Sequence, residues 1–511
     1  MSNSLSKRFS FKLITNAVGL VLSLIIAGII PRSLGPQAFG DFSFLTNFFE
    51  RVFNFVDNGT SMAFYTKLSQ RPKDKGLIRF YSGFIIFFSL LVFVLVAIAF
   101  GVNIDQILWP DQKPLFVLMA LFLGLLTWVN KVMVKIVDAY ALTTRGEIVQ
   151  VLQKVVRFLS ILLLFWLGLF TLFNFFLLQY FIMLFLFFGL FFLLKKNKIS
   201  LFGDRKLDYG EIKDYGKEFY VYSLPLIAFS AFALVEGIYD RWLLQHYSGS
   251  VEQGYFGLSN SVAVVCFIFA SAMTPLILRE FSIAFQDNDS TKVRQLYLKF
   301  TPIFFLISAY FSVFVAVQSD SVVAILGGEE YKDAALALMI MALYPVHQTF
   351  GRFNGSYFLA TNQTRLFGKI GVSFILLGLP ISYLVIAPQE AFGFDLGSLG
   401  LAVKLVLVQL VGVNVEIWFI SRKLQFSFFF LLMKQVIILG FLAIIGYTVH
   451  WAVGMLSLSL VPAFIVNGAL YSLLVVVVIY IFPQLVSSSR RELRNQLNRL
   501  LKRDTNNLKK E

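Results

Sequence analysis

Cysteine, histidine and charge are scarce in this chain, and each scarcity removes a class of chemistry. The single cysteine, Cys266, lies in an apolar run. An internal disulfide is therefore excluded, and a small buried residue is its expected role. Three histidines are too few for a Cys/His metal cluster, so no metal site is expected. No G-x-x-x-x-G-K-[ST] stretch occurs, which removes that phosphate-cradling device. No cofactor is expected. No polar stretch is long enough for a transferase or nucleotide-binding domain, so the chain does not read as an enzyme. Only 14% of residues are charged, against about a quarter in an ordinary soluble domain.

What fills the space is apolar. Hydrophobic residues make up 58% of the 511, and Phe alone occurs 59 times. A soluble globule of this size cannot bury that much apolar surface, so most of it must face lipid or other apolar helices. Windows of about 20 apolar residues mark single helical crossings. Fourteen of them can be drawn, from 12–32 to 460–484. Lys7, Arg8 and Lys12 precede the first. That run is too long for a signal peptide's apolar segment, and it reads as an uncleaved membrane helix. Breaks are expected near Thr143–Gly146 and at Phe170–Phe175. The fold class is thus an all-α polytopic membrane protein.

Charge asymmetry sets the orientation. Of the 44 Lys and Arg, three (Arg32, Lys113, Lys332) fall in outer loops when the N-terminus is placed inside. Six lie within spans, leaving 35 on the inner side. Outer loops carry acids instead, among them Asp105, Asp111, Glu329, Glu330, Asp333, Glu390 and Asp395. Both termini are expected inside, and anionic inner-leaflet lipid accounts for the net charge of +15 without any nucleic-acid partner. The tail beyond residue 485 reads as an amphipathic surface helix with Leu493, Leu497, Leu500 and Leu501 on one side.

The chain also repeats itself. "SLGPQAFGDFSF" recurs as "YSGSVEQGYFGL", placing Gly35, Gly40 and Phe42 against Gly249, Gly254 and Phe256 at an offset of 214. Thr144-Arg145 matches Thr364-Arg365 at an offset of 220. Either offset spans six helices, an even number, so the halves share one orientation and the repeat is parallel. The expected organisation is an N-lobe of six spans (1–195), an inner linker (196–217), a C-lobe of six (218–421), two further spans (422–485) and a basic cytoplasmic tail (486–511). "GRFNG" holds Gly351 and Gly355 at the spacing of a close helix contact.

Charges inside the spans are the candidates for function. A charge at the bilayer centre costs about 2.5–3.5 kcal/mol on insertion scales, so it faces a cavity or a partner. Arg51, Lys131, Lys135, Arg241, Arg352 and Lys404 are the intramembrane cations. Asp41, Glu50, Asp57, Asp138, Glu236, Asp240 and Glu416 are the acids. Asn47, Arg51, Asn54 and Asn58 repeat at four, three and four residues, one polar stripe on span 2. Thr127, Lys131, Lys135 and Asp138 make another on span 4. Glu50 and Arg51, as neighbours, cannot share a helix face, whereas Lys135 could pair with Asp138. His347 lies beside Gln348 and Arg352 on span 10. Two readings stand side by side: a polar cavity fed by both lobes, or ion pairs that hold the lobes closed.

At "IIPRSLGPQAFGDFSF" the sequence resembles the polysaccharide-transporter branch of the multidrug/oligosaccharidyl-lipid/polysaccharide exporter superfamily, which includes Wzx-type O-antigen flippases. The pattern is an Arg, then Leu-Gly-Pro, then Phe-Gly and an aromatic, here Arg32, Leu34, Gly35, Pro36, Phe39, Gly40 and Phe42. "TPLILREFSIAFQDNDSTKVRQ" is similar to the family's loop after span 8. The resemblance implies a flippase in the bacterial cytoplasmic (inner) membrane that moves a polyprenyl-diphosphate-linked oligosaccharide outward by alternating access. It also implies polymerase and glycosyltransferase partners of the same pathway. The anionic diphosphate would suit Arg32, Arg51, Lys131, Lys135, Arg241, Arg352 and Lys404, with Asn47 and Asn54 beside them. Glu50, Asp57, Asp138, Glu236, Asp240 and Glu416 would be the candidates for ion coupling. The alternatives are a cation-coupled multidrug exporter, which rests on carboxylates, and a lipid II flippase, which shares fourteen spans.

The charge distribution makes a direct prediction about topology. Reporter fusions after Leu108 and Phe392 should read outside, and those after Lys73, Asp204 and Arg503 inside. Reversed readings at two of these sites would refute the fourteen-span arrangement.

Overall fold

The computed structural model describes residues 2–57, 59–72, 74–200 and 207–483. The expected tail helix with its leucines, Asn58, and the reporter positions Lys73, Asp204 and Arg503 lie outside the described residues. Among the described residues the chain is helical throughout, with no strand. Ten helices among the described residues are long and apolar enough to cross a membrane. Two longer helices, outside that count, each bend at a glycine and carry the expected spans 1, 2, 7 and 8. Ser2–Asp57 kinks at Gly35 (φ 73°, ψ 166°) and gives spans 1 and 2 (2–34 and 36–57). Tyr209–Cys266 kinks at Gly249 (φ 78°, ψ −175°) and carries span 7 and, with the helix Ile268–Gln286 that follows, span 8. Spans 3 to 6 are Lys75–Gly101, Pro114–Ala139, Thr143–Trp166 and Leu172–Lys196. Spans 9 to 14 are Ser290–Val317, Glu329–Ala360, Thr364–Ile386, Gly397–Leu424, Phe428–Gly454 and Leu460–Ile481.

The local causes are legible in the residues. Both kinks need a positive φ with an extended ψ, which glycine reaches without the Cβ penalty. Pro114 opens span 4 at a position where its missing N–H costs nothing. Span 3 starts on Asp74, whose side chain accepts from the Leu77 amide at 3.2 Å, and span 13 starts on Ser427, which accepts from the Phe430 amide at 3.3 Å. The turn into span 5 sits at Tyr140–Leu142, with Ala141 at φ 58°; its counterpart before span 11 has Asn362 at φ 57°. The sequence placed the first break slightly later, at Thr143–Gly146, where the helix has already begun.

The chain packs into two compact units. One is Met1–Gly257 with Gly378–Leu401; the other is Leu258–Leu377 with Ala402–Glu511. The first is built on large rings: Phe44, Phe49, Phe64, Phe176, Trp109 and Tyr81 are all buried. Phe64 stacks on Tyr81 with centroids 4.4 Å apart, and Phe53 on Trp128 at 5.6 Å. The second has its own aromatic centre of Phe281, Tyr297, Phe353 and Tyr357. Outward-facing spans look different. Span 3 exposes Phe87, Leu90 and Leu95, each more than half open, as a lipid-facing helix must.

Within the first unit the two repeats meet reciprocally. A Cβ on Gly40 would collide with the Ser250 carbonyl and approach the Gly254 amide nitrogen to 2.9 Å. A Cβ on Gly254 would collide with the Pro36 carbonyl and approach its Cα to 3.0 Å. Pro36 and Gly40 are the counterparts of Ser250 and Gly254 at the offset of 214. Each glycine therefore touches the residue equivalent to its own partner's, as a two-fold relation requires. Ser43 and its counterpart Gly257 also face each other, with a Gly257 Cβ falling 3.0 Å from Ser43 Oγ. In the second unit, Gly351 packs toward Gln409 and Val413 of span 12, and Gly355 toward Phe367 of span 11. The G-x-x-x-G pair thus serves two neighbouring helices.

This packing predicts that Gly40→Ala and Gly254→Ala each destabilise the protein by about 1–3 kcal/mol, since backbone rather than a flexible side chain must yield. Gly83→Ala is the control, because open space surrounds Gly83. Thermal unfolding in detergent should fall for the first two and hold for the third; three equal midpoints would contradict the close approach.

Candidate functional site

The span 2 stripe is real, and span 4 answers it. Arg51 donates its Nε–H to Asn47 Oδ1 at 2.9 Å, one turn back along the same face. Lys131 donates to Asn54 Oδ1 at 3.2 Å. At the stripe's end Asp57 gathers donors: Ser61 Oγ at 2.6 Å, Tyr81 OH at 3.2 Å and Trp128 Nε1 at 3.2 Å. Lys135 Nζ lies 3.9 Å from Asp57 and donates to Ser61. The suggested Lys135–Asp138 pair is therefore corrected: the ammonium turns to Asp57 at the end of span 2 and to Ser61 on the short helix Thr60–Gln70 that follows it. Asp57 is fixed by several charge-assisted bonds, and such a carboxylate orders the helices around it. Glu50 points away from this face and is exposed. Asp138 and Thr127 are half-buried, and Thr127 spends its hydroxyl on the Leu123 carbonyl at 2.8 Å.

Span 7 brings a second guanidinium to Arg51. A Cβ on Gly237 would collide with the Arg51 guanidinium and fall 2.5 Å from its Nε, so the cation occupies the space that a side chain there would fill. Arg241 is one turn further along the same helix face. It is buried, donates from Nη2 to Ser43 Oγ at 2.5 Å and sits 4.7 Å from the Phe256 ring centroid. Its Nη1 has no hydrogen-bond partner, and an orphaned donor on a buried cation is costly. Gln253 holds the Arg241 carbonyl. Asp240, on another face, is buried and accepts from Ser382 Oγ at 2.6 Å; Glu236 is half-buried. Near the Gly35 bend Asp41 accepts from Gln112 Nε2 at 2.8 Å and from Ser250. Arg32 is exposed.

In the second unit the candidates separate. Glu416 is buried and accepts from Asn354 Nδ2 at 3.0 Å, while Tyr297 OH donates to Asn354 Oδ1 at 2.8 Å. Lys404 is fully buried. Arg352 is exposed, with its guanidinium 4.2 Å from the Phe267 ring centroid. His347 is buried with Nδ1 unpartnered.

Several of these residues escaped the sequence reading. Tyr81, Trp128, Ser61, Asn354 and Tyr297 are ordinary span residues until the fold turns them toward a charge. Gly237 had a signal, a glycine four residues before an intramembrane arginine. Arg157 was grouped with the inner-side charges, yet it lies well inside span 5 with a buried, unpartnered Nε. Its signal was the apolar run that follows it, Phe158 to Trp166.

No family model matches this sequence. The fold is that of the transporters of the MOP superfamily. The chain is similar to the lipid II flippase MurJ in its inward closed conformation, with a TM-score of 0.67 and 12% identity over 93% of this chain and 99% of that one. It is also similar to an inward-facing multidrug resistance MATE family transporter of the MOP superfamily, at 0.60 and 16% over 82% and 98%. Among curated proteins it is 22% identical over 195 residues to the capsular polysaccharide biosynthesis protein CapF of Staphylococcus aureus, a match covering 38% of this chain and 49%, about half, of that protein.

Proposed function

We propose that this protein is a flippase that carries a polyprenyl-diphosphate-linked oligosaccharide from the inner to the outer face of a bacterial cytoplasmic membrane. The observation that carries the reading is the approach of Arg51 to the Gly237–Arg241 face of span 7. Two guanidiniums, one with an unspent donor, suit a diphosphate, whose oxygens accept paired N–H bonds. Lys131 and Lys135 extend the cationic side along span 4. The name of the capsular polysaccharide relative and the lipid-linked substrate in the name of MurJ support the same class of cargo. The sugar would ride in water between two lobes, 1–195 and 218–421, while the prenyl tail stays in lipid and the lobes rock about the site. Termini on the cytoplasmic side, and glycosyltransferases and a polymerase of the same pathway as partners, belong to this reading.

A second reading, a cation-coupled multidrug exporter, draws on the MATE likeness and on Glu416, a buried carboxylate held by Asn354. The two readings part at Arg51. A desolvated charge-assisted bond contributes about 1.5–3 kcal/mol, a factor of roughly 10 to 150. Arg51→Ala should cut surface glycan by that order in a strain lacking the transporter, at normal protein level, and Arg51→Lys should keep part of it. Gly237→Ala should also lower export, because it displaces the guanidinium without removing the charge. Full export by both Arg51→Ala and Gly237→Ala would contradict the site; a parallel fall in protein level would return Arg51 to a structural role.

A further inference from the structure

Spans 9 and 13 flank an open cavity that the transport reading does not use. Its volume is about 580 Å³, within the range of about 300–1,000 Å³ typical of small-molecule sites. Span 9 contributes Gln295, Leu298, Lys299 and Pro302, spaced as i, i+3, i+4 and i+7. Span 13 contributes Ser427, Phe430, Leu431 and Lys434, at the same spacing. Two matching helix faces therefore look at each other across the gap.

The lining is graded by chemistry. Gln295 and Ser427 are polar and exposed near the helix starts, and Lys299 is exposed nine residues into span 9. Leu298, Pro302, Phe430 and Leu431 are apolar. Lys434 lies six residues into span 13, about 9 Å along its axis, and is half-buried. Its long apolar stem can run along Phe430 and Leu431 while the ammonium reaches back to the polar end. No acidic side chain lines the cavity. Phe429, Phe430 and Met433 stand open on the surface of span 13, so acyl chains have a path in from the bilayer.

We propose that this cavity binds an anionic phospholipid of the inner leaflet, its phosphate between Lys299 and Lys434 and its first acyl carbons against Leu298, Pro302 and Phe430. The assignment follows from charge complementarity at the level of the headgroups. It rests on the membrane orientation given above and not on the nature of the cargo. Basic pockets between helices at this face suit such headgroups, and each lysine near the surface contributes about a fivefold preference for anionic lipid.

The test is native mass spectrometry of the full chain released from mixed micelles with phosphatidylglycerol or phosphatidylcholine, with inorganic phosphate as a separate arm. Phosphatidylglycerol should be retained preferentially, by roughly 25-fold for the two lysines together. Lys299→Ala/Lys434→Ala should abolish the preference, and Lys299→Arg/Lys434→Arg should keep most of it, which guards against a loss through misfolding. Equal retention of both lipids by the unaltered chain would overturn the proposal. So would an unchanged preference in the alanine pair, or inorganic phosphate bound as tightly as the lipid. A chain that flips glycan normally yet shows no lipid preference would sink this inference alone.

Discussion

A charge in hydrocarbon must find company, and the arrangement of this protein follows from that constraint. Leaving one at the bilayer centre costs about 2.5–3.5 kcal/mol on insertion scales, a large share of the margin by which any protein is stable. The chain meets the cost in distinct ways. Asp57 is surrounded by Ser61, Tyr81, Trp128 and Lys135, and this cluster ties span 2 to spans 3 and 4. Arg241 uses a hydroxyl and a ring face and still leaves one donor unspent. The first solution is closed on itself. The second is incomplete, with a buried N–H left unpaired.

Glycine makes the approach of Arg51 to span 7 possible. Arg51 reaches span 7 because Gly237 offers bare backbone. The same economy operates near the two bends, where Gly40 and Gly254 let the two repeats approach until backbone meets backbone. Small residues at helix crossings are the usual route to close contact in a membrane, where apolar burial between helices gives little drive. Here they fix the geometry around which the charges are arranged.

Much of this was legible in the sequence, for reasons that can be stated. The repeat marked Gly35 and Gly249 as equivalent turns between spans, and both carry the bends. The Asn47–Arg51–Asn54 stripe followed from helical period alone. Pairings between helices were not legible: Lys135 had Asp138 in register on its own helix, yet turned to Ser61 and Asp57 on another segment. Arg157 was missed because it lies just past the polar start of span 5, where a charge count assigns it to the inner side. A one-dimensional pattern gives the face a residue occupies and not the neighbour that meets it.

The central claim is that the paired guanidiniums serve a lipid diphosphate carrying sugar. Its most direct test is flipping by the purified protein in vesicles that contain a polyprenyl-diphosphate-linked oligosaccharide, followed by an impermeant reagent that cleaves only glycan on the exposed face. The account predicts that the chain speeds loss of the protected glycan well beyond protein-free vesicles, and that Arg51→Ala removes most of that gain. Protected glycan that persists as long with the protein as without it, in vesicles where the same protein extrudes a cationic drug, would contradict it.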